Sequence, residues 1–194
     1  KAPCQWGWDW GPQLPAIGVW KGARLEGYST AKLARVHMKQ EHQFSGAVKV
    51  IAETEVARWV PANLQLCLTL VDPQGKRFAT TCRCDGDLAR AEIEVNEPAL
   101  WWPNGYGGQA FSKAVVSLRT EDETILDAQE YQLGLRKLEL KQEADAYGQS
   151  FTFVVNDVPI FAKGANWIPA DVFPTRISRE LLDQLLGDAA KAHH

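Results

Sequence analysis

Hydrophobic and polar residues alternate with a period of two through much of the middle of this chain. Leu64-Gln65-Leu66-Cys67-Leu68-Thr69-Leu70 and Ala91-Glu92-Ile93-Glu94-Val95 place aliphatic side chains on one face and polar ones on the other, as a half-buried strand requires. Val48 to Trp59 and Ala114 to Thr120 are rich in strand-forming residues. Asp72-Pro73-Gln74-Gly75 and Cys84-Asp85-Gly86-Asp87 read as turns, with proline and glycine where a chain reversal favours them. From Arg24 to about Glu139 this pattern predicts about seven short strands over roughly 110 residues, the signature of an immunoglobulin-like β-sandwich. Pro61 and Pro98 fall at element edges, where they cost no ladder hydrogen bond.

Beyond Glu139 the pattern changes. Phe151 to Val155 and Pro159 to Ala162 flank Asn156-Asp157-Val158 and predict a small hairpin. Lys163 to Asp171 then lead into a helix, with Ser178 as N-cap and Ile177 and Leu182 at hydrophobic-staple spacing. Leu181, Leu182, Leu185, Leu186, Ala189 and Ala190 fall on one face of that helix, and within the chain this face lacks a partner. A strand feeding an amphipathic helix is how an α/β unit begins. The expected organisation is therefore mainly β: residues 1–28 finish one domain, 29–139 form the sandwich, and 140–194 start another.

Composition narrows the classes. A hydrophobic fraction of 45% and a charged fraction of 23% are ordinary for a globular chain. A net charge of −3 argues against a nucleic-acid partner. No unbroken apolar run approaches the roughly 20 residues of a membrane helix, so no membrane partner is expected. The cysteines are Cys4, Cys67, Cys82 and Cys84, in a chain long enough not to need a stapled framework. Cys82 and Cys84 would share one strand face, which does not favour a bond between them. The histidines are scattered or terminal, so neither a metal nor another cofactor is called for. Reduced thiols point to the cytoplasm; because the chain begins at Lys1, the periplasm is the alternative if a leader was removed.

The chemistry concentrates in Trp6-Gly7-Trp8-Asp9-Trp10-Gly11-Pro12, three tryptophans and one carboxylate within a turn-prone stretch. An indole offers a flat apolar wall to the C–H face of a pyranose, and a carboxylate accepts hydrogen bonds from paired hydroxyls. In a regular strand the tryptophans and Asp9 would face opposite ways, so a shared sugar site requires an irregular loop. Trp101, Trp102 and Tyr106, around the Pro103-Asn104-Gly105 turn, read as structural anchors of the sandwich against a neighbouring domain. The acids of Glu92-Ile93-Glu94 and Glu121-Asp122-Glu123 read as solvated strand edges and turns.

Three motifs taken together, QWGWDWGPQLPAIGVWKGARLE (Gln5–Glu26), LWWPNGYG (Leu100–Gly107) and NDVPIFAKGANWIPAD (Asn156–Asp171), resemble β-mannosidases of glycoside hydrolase family 2. The resemblance implies the tail of a jelly-roll domain, a complete immunoglobulin-like sandwich and the opening of a catalytic (β/α)8 barrel, with those two flanking domains as intramolecular partners. It also implies a retaining exo-glycosidase that removes terminal β-linked mannose, using two carboxyl groups about 5 Å apart. In the family both are glutamates on later barrel strands, so this chain is expected to hold no catalytic residue and to be inactive alone.

What the resemblance leaves to the chain is part of the pocket for a β-mannoside oligosaccharide. It implies that Asp9 binds hydroxyls of the terminal sugar with Trp8 or Trp10 as a wall. Asn166 and Trp167 fall where the first barrel strand should end, the side on which barrel active sites are built. A non-catalytic carbohydrate-binding or adhesion module, or a scaffold without a ligand, are the alternatives. The helix after Asp171 favours the enzyme, because a free-standing module has no use for it.

Overall fold

The computed structural model describes residues 3–7, 11–15, 17–19 and 21–192. Ten strands and one α-helix follow one another: β1 (Ala31–His42), β2 (Val48–Arg58), β3 (Leu64–Val71), β4 (Arg77–Arg83), β5 (Leu88–Val95), β6 (Ser112–Thr120), β7 (Ile125–Leu133), β8 (Leu138–Lys141), β9 (Thr152–Val155), β10 (Val158–Ile160) and α1 (Arg179–Lys191). They belong to two compact units, Gly27–Phe161 and Lys1–Glu26 with Ala162–His194.

The first unit is built on a sandwich. One sheet has the order β1-β2-β5 and the other β4-β3-β6-β7, every pairing antiparallel. The alternation that predicts β3 also builds the core: Leu66, Leu68 and Leu70 are fully buried, as are Val48, Val50 and Ala52 of β2 and Val116 and Leu118 of β6. Each such leucine or valine side chain contributes ~1.5–3 kcal/mol by leaving water. In β5 the acids Glu92 and Glu94 lie outward and Ala91, Ile93 and Val95 inward, as the sequence predicts. The turn at Asp72–Gly75 is closed by Asp72 Oδ1, which accepts from the backbone N–H of Gln74 and Lys76 at 3.0 and 2.8 Å. Gly75 there adopts a φ of +86° that a Cβ would disfavour.

Side-chain amides and a carboxylate join the two sheets. The ladder of β1 and β2 slips between Leu33 and Arg35, and the backbone of Leu33 is taken up by β7. Its N–H donates to Asp127 Oδ2 at 2.9 Å and its carbonyl accepts from Gln129 Nε2 at 3.2 Å. Gln40 of β1 does the same for the segment after β7: its Nε2 donates to the Gly134 carbonyl, and its Oε1 accepts from the Arg136 N–H at 2.9 Å. An edge strand that would otherwise expose backbone groups is thereby closed.

A third sheet, β10-β9-β8, belongs to the same unit. It contains the hairpin expected from Phe151 to Ala162, with Asn156 and Asp157 at positive φ in its turn. Asn156 is the knot between this sheet and the Trp101 loop. Its Oδ1 accepts from Lys137 N–H at 3.0 Å, and its Nδ2 donates to the Trp101 carbonyl at 3.0 Å. Tyr106 hydroxyl accepts from Phe161 N–H at 3.1 Å. Register places Leu138, Leu140, Phe153, Val155, Val158 and Ile160 on one face of the sheet. Leu138, Leu140 and Val158 remain exposed there, with Phe151 exposed and edge-on to Phe153 at 5.7 Å.

In the second unit, Ser178 caps α1 as predicted, its hydroxyl accepting from Leu181 N–H at 3.2 Å. No residue of the helix is buried, and Leu182 and Leu186 are exposed. Residues 162–169, where the first barrel strand is expected, carry no strand. Among the described residues none pairs with them, and an isolated parallel strand leaves its N–H and C=O groups unbonded.

Candidate functional site

The expected sugar-binding residues all fall in the second unit. Trp8, Asp9 and Trp10 lie outside the described residues. What borders them is defined. Pro3–Trp6 form a short 3-10 turn, and Gly7 follows at a φ of +120° with the side chain of Gln13 where a Cβ would point, 3.0 Å away. That conformation excludes a regular strand at Gly7 and satisfies, at this position, the requirement for an irregular loop.

Asn166 and Trp167 are both exposed, Trp167 to 55%. The end of their loop is fixed by Asp171: Oδ1 accepts from Phe173 N–H at 2.8 Å, and Oδ2 pairs with Arg176 Nε at 3.1 Å. One contact ties the two motifs together across most of the chain. Gln5, buried to 8% exposure, donates from Nε2 to the Val172 carbonyl at 2.9 Å. Gln5 and Asp171 are the positioning residues that reading the sequence misses. Both stand at the ends of the quoted motifs, but nothing local says that a glutamine at position 5 will reach a carbonyl at position 172.

The arrangement supplies an exposed indole and a primary amide, with a second exposed indole, Trp6, on the other motif. Such groups can hold a sugar by stacking and hydrogen bonding but cannot by themselves move a proton. Among the described residues, no group of three or more His, Cys, Asp or Glu side chains could hold a metal ion.

Elsewhere the titratable groups are structural. Lys39 donates to Glu53 at 2.7 Å and holds that carboxyl below its ordinary range, on the outer face of the β1-β2-β5 sheet. Burial pushes the Cys84 thiol up to about 11. Cys67, Cys82 and Cys84 are free thiols, and no described helix is long and apolar enough to cross a membrane. Trp101 and Trp102 are half-buried, closely faced by Gly134 and Gly107, and Arg136 lies over the Trp101 ring at 4.7 Å.

No protein-family model matches the chain. Curated relatives do: it is 39% identical over 183 residues to β-mannosidase B of Emericella nidulans, covering 92% of this chain and 21% of that protein. It is 38% identical over 185 residues to β-mannosidase B of Aspergillus oryzae, covering 93% of this chain and 21% of that protein. Among solved structures, a β-D-mannosidase from Dictyoglomus thermophilum superposes with a TM-score of 0.86 at 32% identity, over 97% of this chain and 24% of that one. An exo-chitosanase from Amycolatopsis orientalis shares the fold alone, with a TM-score of 0.60 at 19% identity over 84% of this chain and 19% of that one. The chain spans about a fifth of the length of the curated relatives it matches. In sequence and in fold, this chain is similar to one segment of the β-mannosidases.

Proposed function

We propose that the chain serves a retaining exo-β-mannosidase as its central β-module and as part of the wall of its sugar pocket. The sandwich, 29–139, separates a jelly-roll tail, 1–28, from the opening of a barrel, 140–194. Asp9 binds hydroxyls of the terminal mannose, Trp8 or Trp10 flanks the ring, and Asn166 and Trp167 complete the same side of the site. The two glutamates that break the bond belong to the rest of the enzyme, and the segment alone turns nothing over. The observation that carries this reading is similarity to β-mannosidases across more than nine-tenths of the chain, in sequence and in fold together. The Gln5 contact supports it further, because it joins the segment that leads into Trp8-Asp9-Trp10 to the one that follows Asn166-Trp167.

The decisive experiment is Asp9→Ala in a full-length parent enzyme. An ionised acceptor of sugar hydroxyls, once lost, should lower kcat/KM roughly 100-fold, ~3 kcal/mol of transition-state stabilisation. Kinetics equal to those of the unaltered enzyme would remove Asp9 from the site.

A further inference from the structure

We infer that Gln5 governs the affinity of the sugar site, as a latch that sets the two segments of the site against each other before any ligand arrives. The inference rests on the reading of Asp9, Asn166 and Trp167 given above. Among the described residues of the second unit, Gln5 is the one that is buried. A glutamine side chain is ordinarily left in water, and it goes inside where its amide has a partner. Here the partner is the Val172 carbonyl, 2.9 Å from Nε2 and 167 positions away.

The acceptor is fixed from both sides. Asp171 before it accepts from Phe173 N–H and pairs with Arg176, and the Arg176 N–H donates to the Phe173 carbonyl at 2.9 Å. The donor is fixed too. Gln5 stands in the 3-10 turn Pro3–Trp6, and the chain leaves that turn through Gly7 at positive φ. The Gln13 side chain lies against Gly7, with Cγ and Nε2 each 3.0 Å from where a Cβ would stand. Gly7 and Gln13 thus close the neck of the stretch that carries Asp9, and the Gln5 amide ties that neck to Val172.

Such a link acts on binding rather than on bond-breaking. The Gln5 amide carries no charge and does not titrate, so it serves through the backbone it holds. Asp9 follows Gln5 by a few residues, and Asn166 and Trp167 precede Val172 by a few. A carboxylate and an indole on two separate segments grip one sugar ring only when the spacing of those segments is kept. Setting that spacing in advance spares the ligand the cost of ordering them. Without the link the terminal sugar is held more weakly in the ground state and the transition state alike, which raises KM and leaves kcat.

The test is steady-state kinetics of a full-length parent enzyme on an aryl β-mannoside, comparing Gln5→Ala, Asp9→Ala, the double variant and Gln5→Glu. Gln5→Ala should raise KM roughly tenfold, the worth of one buried hydrogen bond, with kcat nearly unchanged. A fall in kcat at constant KM would mean lost folded enzyme and would overturn the proposal. On the Asp9→Ala background the same change should cost less than it does alone, because no carboxylate is left to place. An equal cost on both backgrounds would show that Gln5 does not act through Asp9, and the proposal would fall. Gln5→Glu keeps the shape of the side chain and carries the test if Gln5→Ala does not fold. Its neutral carboxyl can donate to the Val172 carbonyl and its carboxylate cannot. Relative to the unaltered enzyme at the same pH, its KM should be matched in acid and climb as pH rises; a ratio independent of pH would equally overturn the proposal. A silent Gln5→Ala beside a costly Asp9→Ala sinks this inference alone, whereas a silent Asp9→Ala sinks the sugar site and this inference with it.

Discussion

At the scale of single residues, the sandwich depends on a few close approaches that no side chain of another size can make. Gly134 is one. A Cβ built there would meet Cγ of Trp101 at 2.6 Å, and that ring has little room to yield because Arg136 covers it and the backbone N–H of Trp101 bonds the Leu135 carbonyl. Gly134→Ala should cost ~1–3 kcal/mol through overpacking, read as a lower urea midpoint at unchanged slope; an unchanged midpoint would mean that the ring moves freely. Cys84 gives a pH signature. Its folded pKa, about 11, stands above that of an exposed thiol because burial disfavours the thiolate. The folded state thus holds its proton longer than the unfolded one. The stabilising contribution is complete below the ordinary thiol pKa and is lost as pH rises from about 9 toward 11. Cys84→Ser should flatten that part of the stability profile in denaturant titrations at stepped pH, and an unaltered alkaline slope would point to another group.

At the scale of elements, strands legible one by one are joined by long-range polar contacts that are not legible. The alternation in β3 and β5 announces both strands and their buried faces, because one face of each meets a core and the other meets water or charged neighbours. β1 and β7 are harder to read: β1 carries a register slip, and β7 is half-exposed along most of its length. Gln40 illustrates the difficulty. Nothing near it in sequence marks it as the partner of Gly134 and Arg136. Gln40→Ala leaves the part-buried Arg136 N–H without its partner, while the Gly134 carbonyl keeps the Arg136 guanidinium at 3.0 Å, and should destabilise the unit by ~1–3 kcal/mol. Hydrogen exchange at Arg136 should quicken in the same variant. Protection of that amide equal to that of the unaltered chain would show that water replaces the glutamine.

For the molecule as a whole, the two units each present apolar surface that they do not cover themselves. In the first unit it is Leu138, Leu140, Phe151 and Val158 on the small sheet, and in the second Leu182 and Leu186 of α1. A chain with that much exposed aliphatic and aromatic surface should self-associate on its own. Light scattering across a concentration series should show a rising mean mass, whereas a constant monomeric mass at high concentration would contradict this. The same surfaces fit the proposed role, in which the remainder of a mannosidase packs against them.

The sequence alone determined the parts whose physics is local. Period-two alternation settled the strands and their inward faces, turn chemistry at Asp72–Gly75 placed a reversal, and Ser178 started the helix. Three aromatic and glycine-rich motifs were enough to point to a family of sugar-cleaving enzymes. Tertiary structure alone decided which distant groups meet: Gln5 at the Val172 carbonyl, Asn156 between Lys137 and Trp101, and Tyr28 parallel to Trp59. These contacts span tens of residues or more, and a hydrogen bond or ring contact leaves no periodic trace in sequence. It exists only once the core has fixed the two backbones within reach of each other.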